Sequence, residues 1–239
     1  MCGLGLFACT ADGGKCLTSA GRTTTVSIGL SEFRKLTIRD KFNVEYHAVT
    51  FGNYRCELTS GEKLVGGLLP TINNDGSCLI SNRHSCNWLR SYKDVPKLLI
   101  YGPSLDTLLY EGAGTFSYVD TLEPARTIYL ISDQANGNIR LHLAKDSVFI
   151  KQRTGPADVT AVGRCNFAYI YNATEGFSKL WDMKCSNIHF VHEGYALNEV
   201  NPDESGIVEL YGRGDLLYPE GIPCQLRRKG AGNLITKPR

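Results

Sequence analysis

Short apolar or alternating runs, each cut off within a few residues by glycine, asparagine, aspartate or proline, recur along almost the whole of this chain. Apolar residues at every second position mark a half-buried strand, and runs this short rarely make helices. The runs at Leu4–Ala8, Tyr46–Phe51, Cys78–Ser81, Leu98–Tyr101, Thr115–Val119, Thr127–Ser132, Ile139–Leu143, Asn166–Tyr171, Ile188–Val191 and Ala196–Val200 therefore predict a sheet-rich protein. Asn136-Gly137 lies between two of them. A tight hairpin turn needs positive φ at both central residues, which Asn-Gly tolerates, so Thr127–Ser132 and Ile139–Leu143 are expected to be antiparallel neighbours. Helical signals are confined to Ser31–Leu36, Cys86–Tyr92, Asp106–Glu111 and Thr174–Trp181, with Ser31 and Asp106 as candidate N-caps.

A chain of 239 residues that is 42% hydrophobic can bury one sizeable core. One domain is expected over residues 1–220, with no internal repeat, followed by a basic tail over 221–239. That tail carries Arg227, Arg228, Lys229, Lys237 and Arg239 and no acidic residue. No apolar run approaches the roughly 20 residues of a membrane-spanning helix, and the first residues lack the basic head of a secretory signal. The expectation is a cytoplasmic protein with no membrane partner. Lys and Arg number 26 against 24 Asp and Glu, a net charge of +2, so nucleic acid is not expected on the main body and could be met only by the tail.

The nine cysteines show no repeated short spacing and no CxxC, which suits buried thiols in a reducing compartment better than a structural zinc site. Cys185, His189 and His192 come nearest to a ligand set, but on a strand the two histidines would point to opposite faces. Neither a metal nor a cofactor is expected. Cys86, with His84, Trp88 and a distant His189 or His192, is a faint candidate for a Cys-His protease, though the tryptophan does not directly follow the cysteine.

Cys2 offers more chemistry. Loss of Met1 would place a thiol and a free α-amine on one residue, and an amine titrating near about 8 can take the thiol proton itself. Arg55, in Phe51-Gly52-Asn53-Tyr54-Arg55, has a planar guanidinium suited to a two-pronged bond with a carboxylate. Asn82, in Ser81-Asn82-Arg83-His84-Ser85-Cys86-Asn87, could donate to an oxyanion, with the backbone N–H of Arg83 as a second donor. Asp106, in Ser104-Leu105-Asp106-Thr107, could face an amine.

Taken in order with the opening Met1-Cys2-Gly3-Leu4-Gly5-Leu6-Phe7, these segments resemble the class II glutamine amidotransferases, the N-terminal-nucleophile glutaminase domains. Later segments, Gly114–Tyr118, Tyr129–Asp133 with Gly137, Phe167–Leu180 and Ile188–Tyr195, are similar to further strands and turns of that family. The resemblance implies an α+β fold of αββα layers, two largely antiparallel sheets flanked by short helices. It also implies Cys2 as nucleophile, Asn82 and Arg83 as oxyanion donors, and Arg55 and Asp106 as the clamp on glutamine. The implied activity is release of ammonia from glutamine for a separate synthetase or ligase, without a cofactor. The alternative is a catalytically inactive member that uses the same scaffold for interaction or assembly.

Overall fold

The computed structural model describes residues 19–50, 52, 54–84, 95–122 and 126–239. Its strands are β1 (Thr23–Gly29), β2 (Lys35–Ala48), β3 (Arg55–Gly61), β4 (Thr71–Ile72), β5 (Cys78–Ile80), β6 (Lys97–Gly102), β7 (Thr107–Asp120), β8 (Thr127–Ser132), β9 (Asn136–Gln152), β10 (Asp158–Asn172), β11 (Ser178–His192), β12 (Asn198–Leu210), β13 (Leu216–Pro219), β14 (Cys224–Arg228) and β15 (Leu234–Lys237). Among the described residues the only helix is a single turn, α1 (Val65–Leu68).

Pairing is parallel throughout except in β1–β3, β3–β6 and β4–β5. Asp158 lies beside Asn138 and His192 beside Asn172, so each circuit there takes 20 residues; beyond β12, where Leu226 lies beside Val208, a circuit takes 18. The chain is thus a flattened parallel β-solenoid of about six turns. A first face is built from β1, β3, β6, the second halves of β2 and β7, the first halves of β9 to β12, then β13 and β15. A second face is built from the first halves of β2 and β7, then β8, the second halves of β9 to β12, and β14.

The core lies between the faces and is made of stacks in which each turn adds one side chain. Leu130, Ile150, Ile170, Phe190 and Val208 are register partners in sequence, and all are essentially buried. Alternation along each strand sends every second residue into this core, which is why the short apolar runs that are described fall largely on strands; Leu4–Ala8 lies outside the described residues. Parallel pairing follows because each strand returns to the same face only after a full circuit, with a corner and an opposite strand between.

The αββα arrangement with antiparallel sheets does not survive this geometry. Thr127–Ser132 and Ile139–Leu143 are not hairpin partners: β8 runs parallel to β9, with Thr127 beside Ser147. Gly137 does take positive φ, at 143°, and a Cβ there would lie 2.1 Å from the Gly114 carbonyl oxygen. Its conformation serves a corner that carries the chain from the second face to the first. Asp106–Glu111 belongs to the start of β7, where Leu108 and Tyr110 point inward in a two-residue period. Ser31–Leu36 leads into β2, Thr174–Trp181 is a corner followed by β11, and Cys86–Tyr92 lies outside the described residues.

A repeat is present after all, at the corners. Gln152-Arg153-Thr154-Gly155, Asn172-Ala173-Thr174-Glu175-Gly176, His192-Glu193-Gly194-Tyr195-Ala196, Leu210-Tyr211-Gly212-Arg213-Gly214 and Arg228-Lys229-Gly230-Ala231-Gly232 stack on one another. Gln152, Asn172 and His192 are fully buried and bind the corner backbone: Gln152 Nε2 donates to Ala157 O (2.7 Å), Asn172 Nδ2 donates to Gly176 O (2.8 Å), and His192 Nε2 lies 2.9 Å from Ala196 O. Gly194 N–H approaches His192 Nδ1 at 3.2 Å, and Asn198 Nδ2 lies 3.0 Å from its Nε2, so both ring nitrogens are engaged inside the corner. Residues 221–239 take part in the same winding, β14 on β12 and β15 on β13.

Candidate functional site

The first face carries a broad depression, a trough of about 670 Å³ across β3, β6, β2, β7 and β9. Five strands at about 4.8 Å spacing give it a length of about 19 Å along the rod. Two outward rows line it, and a third runs along its edge. The central row is Glu57, Leu99, Glu45, Ser117 and Arg140, each the register partner of the next. On one side run Thr59, Lys97, Asn43, Thr115 and Asn138, and on the other Arg55, Tyr101, His47, Val119 and His142. A second depression of about 330 Å³ shares Asn43, Thr59 and Lys97 with the first and continues it toward Gly21 and Leu64.

The charges of the trough are unequally engaged. Glu45 Oε1 accepts from His47 Nε2 at 2.7 Å, and Glu57 Oε1 accepts from Arg55 Nε at 3.4 Å. Arg55 also lies 4.0 Å above the Tyr101 ring, and that ring stacks on His47 at 5.5 Å. Lys97 and Arg140 are exposed and have no ion pair or hydrogen bond among the described residues. Thr115 and Ser117 add hydroxyls between them, and Asn43 Oδ1 accepts from Thr115 N at 3.2 Å. The surface therefore offers two unengaged cations, several hydroxyls and an amide.

A different concentration of reactive groups lies in the core. Asp120 Oδ2 accepts from Lys145 Nζ (2.5 Å), Ser104 Oγ (2.6 Å) and the Tyr118 hydroxyl (2.6 Å), and Lys145 also reaches Ser104 Oγ at 2.9 Å. Burial pushes the Asp120 carboxyl upward, but the bonds from Lys145, Ser104 and Tyr118 outweigh it and hold the group below the usual carboxylate range. Burial, with the Asp120 charge beside it, pushes the Tyr118 hydroxyl well up. Lysine, serine and aspartate together would suit nucleophilic chemistry, but the Lys145 and Asp120 side chains have no exposed surface. This is a structural ion pair with no route for a substrate.

The second face shows a ladder instead of a trough. Tyr129 stacks on Phe149 at 4.6 Å, Phe149 meets Tyr169 at 6.2 Å, and Tyr169 meets His189 edge-on at 5.2 Å. His189 bonds Glu209 at 3.0 Å, and Glu209 also takes the Tyr211 hydroxyl and Arg227, so its carboxyl is held low chiefly by Tyr211 and then by His189. These rings engage one another edge to face and in stacks along the rod.

The residues singled out in the sequence are distributed along the rod. Arg55 sits on β3 at the rim of the trough. Asn82 follows β5, where its backbone N–H donates to Asp40 Oδ2 at 2.8 Å and its side chain caps His84 N at 3.0 Å. The Arg83 guanidinium is spent on Leu69 O and Gly66 O at 3.3 and 3.2 Å, and on Thr71. Asp106 precedes β7, with its backbone bonded to Arg34 O and Tyr129 N. No hydrogen bond or ion pair joins any two of Arg55, Asn82, Arg83 and Asp106. Cys2 and Cys86 lie outside the described residues. His189 and His192 do point to opposite sides, one outward and one into the core.

Lys97, Glu45, Tyr101 and Arg140 were not singled out in the sequence. Their signal was there, in the polar alternation Asn43-x-Glu45-x-His47 and Asn138-x-Arg140-x-His142, which places one outward row on each strand.

Comparison with solved structures supports the fold. A "putative adhesin" from Bacteroides fragilis matches with a TM-score of 0.73 at 18% identity, over 90% of this chain and 97% of that one. A "putative adhesin" from Parabacteroides distasonis matches with a TM-score of 0.69 at 14% identity, over 91% and 98%. A "putative lipid binding protein" from the same species matches with a TM-score of 0.55 at 14% identity, over 90% and 97%. No curated protein matches the sequence. The resemblance to class II glutamine amidotransferases is thereby corrected: its described segments belong to the strands and corners of a solenoid, and no such family matches. A family model described as "Putative auto-transporter adhesin, head GIN domain" matches residues 32–220, and the chain belongs to that family, DUF2807.

Proposed function

We infer that this chain is a non-catalytic recognition module of adhesin type, which lays an extended, hydroxyl-rich and acidic chain such as a surface glycan along its first face. The observation that carries this reading is the trough itself, with Lys97 on β6 and Arg140 on β9 unengaged and hydroxyl and amide side chains between them. A guanidinium and an ammonium suit carboxylates or sulfates spaced along a polymer, while Thr115, Ser117 and Asn43 suit its hydroxyls. Adhesin-named neighbours of the same fold add support.

Glutamine and a synthetase partner are set aside, since the family and its neighbours are adhesins and no amidotransferase evidence exists. Lipid binding, the name carried by one neighbour, fits the trough poorly, because an acyl chain would meet glutamate, lysine, arginine and threonine along most of its length.

The test is binding of defined acidic and neutral oligosaccharides to the purified chain. Lys97→Ala with Arg140→Ala is expected to weaken acidic-glycan binding at least about tenfold, or about 1.4 kcal/mol, and to flatten its salt dependence. Binding unchanged in the double variant, or none to any glycan, removes the reading.

A further inference from the structure

Cys165 on β10 and Cys185 on β11 are register partners on adjacent parallel strands. Both side chains point into the core, at 7% and 2% exposure, and the Cys165 thiol is near enough to push the Cys185 thiol upward, with burial adding to it. Neighbouring strands hold their Cα atoms about 4.8 Å apart, inside the roughly 4.4–6.8 Å window of a disulfide. No other described cysteines have this relation. Cys56 and Cys78 are both buried but sit on β3 and β5, which do not pair, and Cys224 lies half-buried on β14.

We propose that Cys165 and Cys185 close into a disulfide that joins two successive turns when the chain folds in contact with a small-molecule disulfide such as oxidised glutathione. One protein thiolate attacks the oxidant, forming a mixed disulfide and releasing one small thiol. The second protein thiolate attacks the protein sulfur of that mixed disulfide and releases the other small thiol. Two protein thiols lose two electrons, their protons pass to the departing thiolates, and the oxidant is reduced to two thiols. Burial in the finished core keeps both groups away from solvent, so the exchange belongs to the stage before β11 docks on β10. The bond closes a loop of one circuit, which restricts the unfolded chain without redirecting either strand.

The full chain is refolded from denaturant with mixed oxidised and reduced glutathione, and in parallel with reductant alone. Free thiols are alkylated, and peptides are mapped by mass spectrometry. The expected result is a peptide pair containing Cys165 and Cys185, 2 Da below the sum of its reduced parts and separated by reductant. The oxidised protein should also melt about 5 °C or more above the reduced one, a difference lost in Cys165→Ala and in Cys185→Ala. Recovery of both cysteines alkylated from oxidatively refolded protein overturns the proposal. So does linkage of either to a different cysteine. The wild-type peptide map decides even if both variants fail to fold.

Discussion

Lys145 and Asp120 set the highest stakes of any single pair in the molecule. Two opposite charges sealed in a core cost much to desolvate, and breaking such a pair costs more than replacing it. Lys145→Met is therefore expected to destabilise the fold by about 3–5 kcal/mol in urea unfolding, because Asp120 would remain charged and buried with only Ser104 and Tyr118 as donors. Replacing both, with Asp120→Leu added, should recover a large part of that loss. Acid offers an independent check. Asp120 is held below its ordinary value of about 3.9, so its contribution is complete above about pH 4 and is lost as pH falls through the lower folded value. Urea midpoints measured between about pH 5 and pH 2 should fall steeply in the wild type and less steeply in Asp120→Asn. Neither Lys145 nor Asp120 was legible as special in the sequence, since a lysine inside an alternating strand shows its inward direction only once the register is known.

At the scale of elements, the corners hold the turns in place. Asn172 Oδ1 accepts from Thr174 N at 2.9 Å while its Nδ2 reaches Gly176 O and, at 3.0 Å, Asn198 Oδ1. Asn172→Ala would orphan several buried polar groups and should cost about 2–3 kcal/mol, read from chemical denaturation. Gly194→Ala should be at least as damaging, because its Cβ would stand 2.1 Å from the Thr174 carbonyl oxygen, a contact between backbones that no side-chain motion relieves. Both variants should keep their β-sheet circular dichroism at low temperature and lose it earlier on heating.

These corners also explain what the sequence did and did not show. Strand positions such as Thr127–Ser132 and Ile188–Val191 were legible, because inward alternation is a local property. Strand direction was not, because Asn136-Gly137 has the chemistry of a hairpin turn and of a solenoid corner alike. The recurring polar-x-Gly/Thr pattern could have separated them, but it is spaced at 20 and then 18 residues and changes its polar residue from Gln152 to Asn172 to His192. The trough was hidden for a related reason: Arg55 was picked for its chemistry, while its neighbours Tyr101 and His47 come from β6 and β2, and only the winding brings them beside it.

For the whole molecule, stability approximates a sum of turns and the interfaces between them. Removing residues 221–239 strips β14 and β15 from the end and uncovers Val208, Leu210, Leu216 and Tyr218, all buried in the complete chain. The shortened protein should melt at least about 5 °C lower and elute in larger species on size exclusion; an unchanged melting temperature would mean that the last turn contributes nothing. The other end is built differently, with antiparallel β1, β3 and β6 in place of another circuit, and it is there that the trough begins.

The stacking of one circuit on the next from β9 onward carries an evolutionary corollary. Because every circuit meets only the one before and the one after, a duplicated stretch of twenty residues could be spliced into the middle of the rod and find its contacts ready-made on both sides. The rod could then be lengthened in steps of about 4.8 Å while the distant trough stayed as it was, so lineages could adjust the length of such a protein separately from the surface at its far end.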